Sequence, residues 1–194
     1  MIAGHFGLAA AVKSRVPRAP TWALMLAVIW MDVIFTPLLI AGVETIQPFG
    51  GGDGKGYGAL IIHADWTHSL VGALVLAVTF GFGFAIPWGR KLGTVLGAMV
   101  FSHWLLDLPM HHHDMPWLPA NAGHLPLMGF GLWSFPAPAA LLELVLVVGG
   151  TWLYWRKAVA VTVASGSQPK RAHVAAIAMA LSGIVTLGLN VAGQ

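Results

Sequence analysis

Five stretches of this chain, residues 21–41, 66–86, 92–110, 138–155 and 174–191, are almost wholly apolar. Each approaches the roughly 20 residues that a helix needs to cross the hydrocarbon core of a bilayer. No other feature narrows the fold as much. A chain in lipid must satisfy its own backbone N–H and C=O groups, and an α-helix does so within one segment. The expected fold is therefore all-α: a polytopic membrane helix bundle forming a single integral membrane domain over residues 1–194. Composition agrees, with 57% hydrophobic and only 9% charged residues, against roughly 25% charged in soluble domains. Residues 2–12 are apolar but too short to span. They lack the basic start of a signal peptide and read as a short, half-buried helix ahead of about five transmembrane helices.

The pI near 9.6 would suggest a nucleic-acid partner in a soluble protein. Here the basic residues follow topology instead, and no nucleic acid is expected. Lys13, Arg15 and Arg18 precede the first span, and Arg90 and Lys91 separate the second from the third. Arg156, Lys157, Lys170 and Arg171 separate the fourth from the fifth, leaving only Lys55 in an alternate loop. By the positive-inside rule the side with nine of the ten cations is cytoplasmic. The N-terminus is then inside and the C-terminus outside. Residues 47–58 form a Gly-rich outer loop around Asp53-Gly54-Lys55-Gly56. It is read as flexible, because a phosphate loop would need Gly at position 49 and Ser or Thr after Lys55. Residues 111–136, rich in Pro, Trp and His, form a second outer loop.

His103 and Asp107 lie four residues apart inside the third span, so they share one helical face. An ionisable group at that depth costs ~2.5–3.5 kcal/mol even on lenient insertion scales and usually marks function. Available companions are Asp32, His63, His68, His111 to His113, Asp114 and Glu143. At ~1.5 Å per residue, Asp32 falls near mid-membrane, His68 in the outer leaflet and Glu143 near the outer start of its span. If residues 2–12 rise from the cytoplasmic side, His5 arrives just below Asp32. These groups then converge on one pocket that opens outward. The chain has no Cys, so any metal there must use His and carboxylate. A lone His in a membrane helix also serves as a helix–helix hydrogen-bonding residue, and for His5 and His68 both readings stand. Trp66, Trp104, Trp117 and Trp133 are expected in an interfacial belt. Gly81, Gly83, Gly93 and Gly97 are expected to allow close helix packing.

Four elements occur in order: Gly4-His5, Asp32 within a helix, His63-x-x-x-Thr67-His68-Ser69 opening a helix, and Ser102-His103-x-x-x-Asp107 closing another. In this the chain resembles the inner-membrane-associated metal-dependent hydrolases, also described as LexA-binding and as a domain of unknown function. The resemblance covers residues 1 to about 115. It implies a multi-pass protein of the bacterial inner membrane whose polar centre is His5, Asp32, His63, His68, His103 and Asp107, facing the periplasm. The chain has Trp30-Met31-Asp32 where that family often has Pro-Asp-x-Asp-His, and Ala64-Asp65 where Arg-Gly is common. The missing carboxylate and His tell against a two-metal site.

The leading expectation is a hydrolase holding one divalent ion, zinc above others, on His68, His103 and Asp107, with His5 a further ligand candidate. Three N/O ligands and an open position are the usual catalytic zinc arrangement. Asp32 or His63 would act as general base or orient a ligand, and Thr67 and Ser69 would donate to a developing oxyanion. The substrate would be a lipid-like or amphipathic ester or phosphoester. Two alternatives stay open. One is a non-catalytic accessory subunit whose Trp-rich loop docks on other membrane subunits, with a structural His/Asp cluster. The other is a haem or pigment protein with His68 and His103 as axial ligands.

Overall fold

The computed structural model describes residues 1–51, 54 and 58–192. The expectations for Asp53 and Lys55 lie outside the described residues. Among those described, seven α-helices follow in order. They are α1 (Ile2–Arg15), α2 (Thr21–Val28), α3 (Trp30–Ile40), α4 (Leu70–Trp88), α5 (Arg90–Met110), α6 (Pro136–Ala164) and α7 (Lys170–Ala192). The all-α expectation holds, with one small addition: an antiparallel hairpin, β1 (Thr45–Pro48) with β2 (Leu60–His63), fills part of the connection between α3 and α4. Helices α4 to α7 are long and apolar enough to cross a membrane, and α2 with α3 makes a fifth span if the bent pair counts as one. Their outward faces carry residues such as Val78, Phe82, Ile86, Val145, Ile177 and Val185. Exposed apolar side chains of this kind on membrane-length helices are consistent with a membrane protein.

The span expected over residues 21–41 is not continuous. It bends by 50° between α2 and α3, at Ile29 (φ −113°, ψ 10°). Neither Pro nor Gly stands there. The compensation is tertiary: the Val28 carbonyl accepts a hydrogen bond from His103 Nδ1 at 2.7 Å. Intrusion of a side chain into the helical ladder is one of the few recognised causes of a sharp kink.

Helix α1 also departs from expectation. Instead of rising from the basic side, it starts beside the polar cluster, with the Met1 nitrogen 3.5 Å from Asp107 Oδ1, and runs away from it to Lys13 and Arg15. It is deeply packed, burying Ala3, Gly4, His5, Gly7, Ala9 and Ala10. Gly7 makes this possible. A Cβ there would sit 2.8 Å from Val147 N, and one on Gly150 of α6 would overlap the Gly7 backbone. Small residues that let backbones meet are the main adhesive between helices in lipid, where burial of apolar surface contributes little. The α4–α5 seam works likewise. A Cβ on Gly81 would meet Gly93 O at 2.8 Å and one on Gly97 would meet Ala77 O at 2.8 Å, whereas Gly83 faces open space. Gly83 thus leaves the packing set. The two helices join through Gly89 alone, whose φ of +86° suits a residue without Cβ.

The loop after α5 folds back over the bundle. Met115 and Met128 pair as a bridge, and the carbonyls of Pro116 and Trp117 accept from Leu70 N and Val71 N. Together with the Ser69 side chain, which accepts from Gly72 N, they satisfy donors that the first turn of α4 would leave orphaned. At the far end, α6 continues to Ala164, so Arg156 and Lys157 lie within the helix, beyond the expected end of the span at residue 155. Arg156 covers the Trp152 ring at 4.8 Å.

Candidate metal centre

Five segments of the chain deliver six polar side chains to one point. His103 and Asp107 come from successive turns of α5, and His103 Nε2 lies 2.9 Å from Asp107 Oδ2. Asp32 stands in the first turn of α3, just past the break. His68 precedes the cap of α4, His111 follows α5, and His5 comes from α1. His68 Nε2 is 3.3 Å from His103 Nε2, and Asp32 Oδ1 lies 3.5 Å from His103 Nε2 and 3.7 Å from His68 Nε2. His68 Nε2 and His111 Nε2 each lie 3.8 Å from Asp107 Oδ2. His5, His68, His103, Asp107 and His111 are all buried, while Asp32 is 37% exposed at the edge of a cavity.

Hydrogen bonds behind the imidazoles fix which nitrogen faces inward. A carbonyl can only accept, so Val28 O requires a proton on His103 Nδ1. Thr67 Oγ1 lies 3.0 and 3.2 Å from the two Glu44 oxygens and 2.8 Å from His68 Nδ1. Its single proton goes to the carboxylate, so it accepts from His68 Nδ1–H. Glu44 also accepts from Trp66 N and Thr67 N. His111 Nδ1 lies 3.0 Å from Asp114 Oδ1, and Asp114 accepts from Ile62 N at 3.0 Å. In this way the hairpin is tied to the cluster. Three imidazoles thus carry a proton on Nδ1 and turn Nε2 toward the two carboxylates, where it donates a hydrogen bond when protonated and can coordinate a cation when not.

With both Nε2 atoms unprotonated, the lone pairs of His68 and His103 would repel at 3.3 Å unless a cation lay between them. Two ligands of one tetrahedral ion bound at 2.0–2.1 Å are about 3.3 Å apart. The donor set and spacing therefore fit a metal ion. Two overlapping groups, His5–His103–Asp107 and Asp32–His68–His103, each hold three ligand atoms within 4.8 Å of one another. The same 3.3 Å leaves no room for a porphyrin between His68 and His103, which sets aside the axial-ligand alternative.

His5 plays a distinct part. Its Nε2 lies 3.1 Å from Asp107 Oδ1, its ring stacks on His103 at 3.8 Å, and its buried Nδ1 has no hydrogen-bond partner among the described residues. Glu143, also buried, accepts from Gly4 N at 3.0 Å. It thereby caps the start of α1 from a neighbouring helix and locates His5.

Of the residues expected at the site, the fold brings together His5, Asp32, His68, His103 and Asp107. It does not bring His63, which sits in β2 opposite Thr45 while its neighbours Leu60 and Ile62 line the cavity. Thr67 and Ser69, expected as donors to an oxyanion, are committed elsewhere: Thr67 to Glu44 and His68, Ser69 to the start of α4 and to Trp66 O. Trp104, expected at the interface, is buried and donates to His68 O at 2.9 Å. His112 stacks on Phe49 at 3.9 Å and His113 is exposed. Glu44 escaped sequence reasoning, since 23 residues separate it from Thr67 and nothing local marks it. His111 and Asp114 carried a signal in their i,i+3 spacing.

The cavity over the cluster has a volume of about 530 Å³. It is lined by Asp32, Phe35 and Thr36 of α3, by Ile2 of α1, Asn190 of α7 and Trp133, and by Leu60 and Ile62 of the hairpin.

Fold and site together define a helical protein with membrane-length apolar helices and a buried His/carboxylate cluster able to hold a metal ion. Comparison with protein-family models, with curated proteins and with solved structures finds no match.

Proposed function

We propose that this protein is a membrane-embedded, metal-dependent hydrolase of amphipathic esters or phosphoesters. The observation that carries the reading is the convergence of three imidazole Nε2 atoms, each freed by an acceptor on its Nδ1, upon the Asp107 and Asp32 carboxylates. The mixed nitrogen and oxygen donors suit zinc. His68, His103 and Asp107 would hold it, with His111 beside them. A bound ion of this type lowers the pKa of a coordinated water toward ~7 and polarises a scissile group. The protein's own groups do the rest. Asp32, at the cavity edge, is placed to accept a proton from water entering there. His5 and Glu44 hold Asp107 and His68 in position through the contacts described above, as supporting groups do around metal ligands.

The cavity supports an amphiphile as substrate. Its lining joins the polar His68, Asp107 and His111 to the apolar Phe35, Ile62 and Trp133. Helix α3 packs on α2, α4 and α5, whereas α7 packs on α1 and α6, so extensive α3–α7 packing does not close the cavity that both helices line, and an amphiphile would enter between them. The resemblance to inner-membrane-associated metal-dependent hydrolases points the same way. The basic residues gather at the end away from the cluster, which favours a periplasmic site in a bacterial inner membrane.

Metal analysis of protein purified in mild detergent tests the proposal. We expect one ion per chain in the wild type and none in His103→Ala or Asp107→Ala, with chelator-sensitive turnover of lipid ester or phosphoester substrates. Retention of metal by both variants would sink the zinc reading. A second reading, an accessory subunit with a structural metal, draws on the apolar residues exposed in the outer loop, Trp117, Leu125, Phe130 (73%) and Phe135. Stoichiometric co-purification of a partner, with metal bound and no turnover, would favour it.

A further inference from the structure

A second cleft of about 430 Å³ lies between α1, α6 and α7. On α6, Lys157 stands 14 residues beyond Glu143, or ~21 Å along the helix, so the cleft belongs to the opposite end of the bundle from the His/Asp cluster. Each helix contributes a cation to it: Lys13, Lys157 and Arg171, with the Ser14 and Tyr154 side chains among them. Lys13 is not a free tether. Its Nζ donates to Pro17 O at 2.8 Å and Ala19 O at 2.7 Å, which fixes the ammonium at the wall and leaves one N–H unused. The walls come from residues 13–17 and 154–175, and neither residues 1–31 nor residues 144–194 contain a single Asp or Glu. Three like charges therefore share a cleft whose walls supply no counter-charge, and an anion seated there would relieve their repulsion.

We infer that this cleft is a binding site for a phosphate group, that of an anionic phospholipid of the surrounding membrane. Arg and Lys donors match phosphate oxygens, and basic pockets between spanning helices are a recurrent device for holding anionic headgroups. On α7, which runs from Arg171 back toward the cluster end, Ala172 and Ala175 continue the cleft wall in the direction where acyl chains would lie. The inference is independent of any hydrolase activity at the other end.

Detergent-purified protein offers a direct test by native mass spectrometry with dioleoylphosphatidylglycerol, against dioleoylphosphatidylcholine. The double variant Lys157→Gln/Arg171→Gln removes two cleft cations. Arg90→Gln/Lys91→Gln removes the same charge outside the cleft, and far-UV circular dichroism verifies that both remain helical. We expect the anionic lipid to bind about tenfold more tightly than the zwitterionic one, with that preference lost in the cleft variant and kept in the control. Saturation by inorganic phosphate, lost in the same variant, would support the same chemistry with a free anion as its source. Undiminished lipid binding in the cleft variant, or equal loss in both variants, would overturn the inference.

Discussion

At one end of the bundle, Asp107 stands within 3.8 Å of four imidazoles and Asp32 within 3.7 Å of two; at the other, Lys13, Lys157 and Arg171 line a cleft with no acid in its walls. The difference follows from side-chain length and solvation. Asp and His are too short to reach the interface from mid-helix, so they are tolerated there only when each charge or lone pair meets a partner. Lys and Arg can lay their stems along apolar surface and keep the charge near water. The acidic end is accordingly a closed network in which nearly every atom is committed, and the basic end is an open one awaiting an anion. Damage should propagate through the first and stay local in the second.

The largest effect is expected at Asp107, which touches His5, His68, His103 and His111. Asp107→Ala should abolish metal binding and destabilise the fold by ~3–5 kcal/mol, the usual result of stripping one partner from a buried charge network. Metal content and thermal unfolding read this directly, and unchanged stability would mean that the network is not closed. Next comes Thr67→Val, nearly isosteric, which removes the oxygen linking His68 to Glu44. Metal affinity should fall ~10–100-fold, as when supporting groups behind other metal ligands are lost. Wild-type affinity would show that backbone packing alone sets the imidazole. Ser69→Ala should cost ~1 kcal/mol as a lost helix cap while leaving metal affinity unchanged. A drop in affinity would return Ser69 to the site. Smallest is Arg171→Gln, expected to shift stability by no more than ~0.5 kcal/mol, as for most surface changes, and to leave the metal untouched. A loss of metal there would break the separation between the two ends.

How far these features could be read in advance varies with the range of the interaction behind them. His103 and Asp107 were legible as a pair because helical periodicity alone puts them on one face. Asp32 and His68 were legible as companions because depth follows from counting residues along apolar helices. Gly81 and Gly83 look alike in sequence, and only the path of α5 distinguishes the one pressed on backbone from the one facing open space. The break at Ile29 was hidden for a similar reason. The nitrogen that takes up the Val28 carbonyl lies 75 residues away. Glu44 reads as an ordinary loop acid until Thr67 is seen beside it.

The sequence by itself determined a helical chain for an apolar setting, the segregation of cations to one side, and the helix face on which His103 and Asp107 meet. These depend on solvent partition and on the 3.6-residue period, both local. Only the tertiary structure decided the direction of α1, the interruption between α2 and α3, and which nitrogen of each imidazole faces the carboxylates. Those depend on single hydrogen bonds and glycine contacts between segments far apart in the chain, where local propensity carries no information.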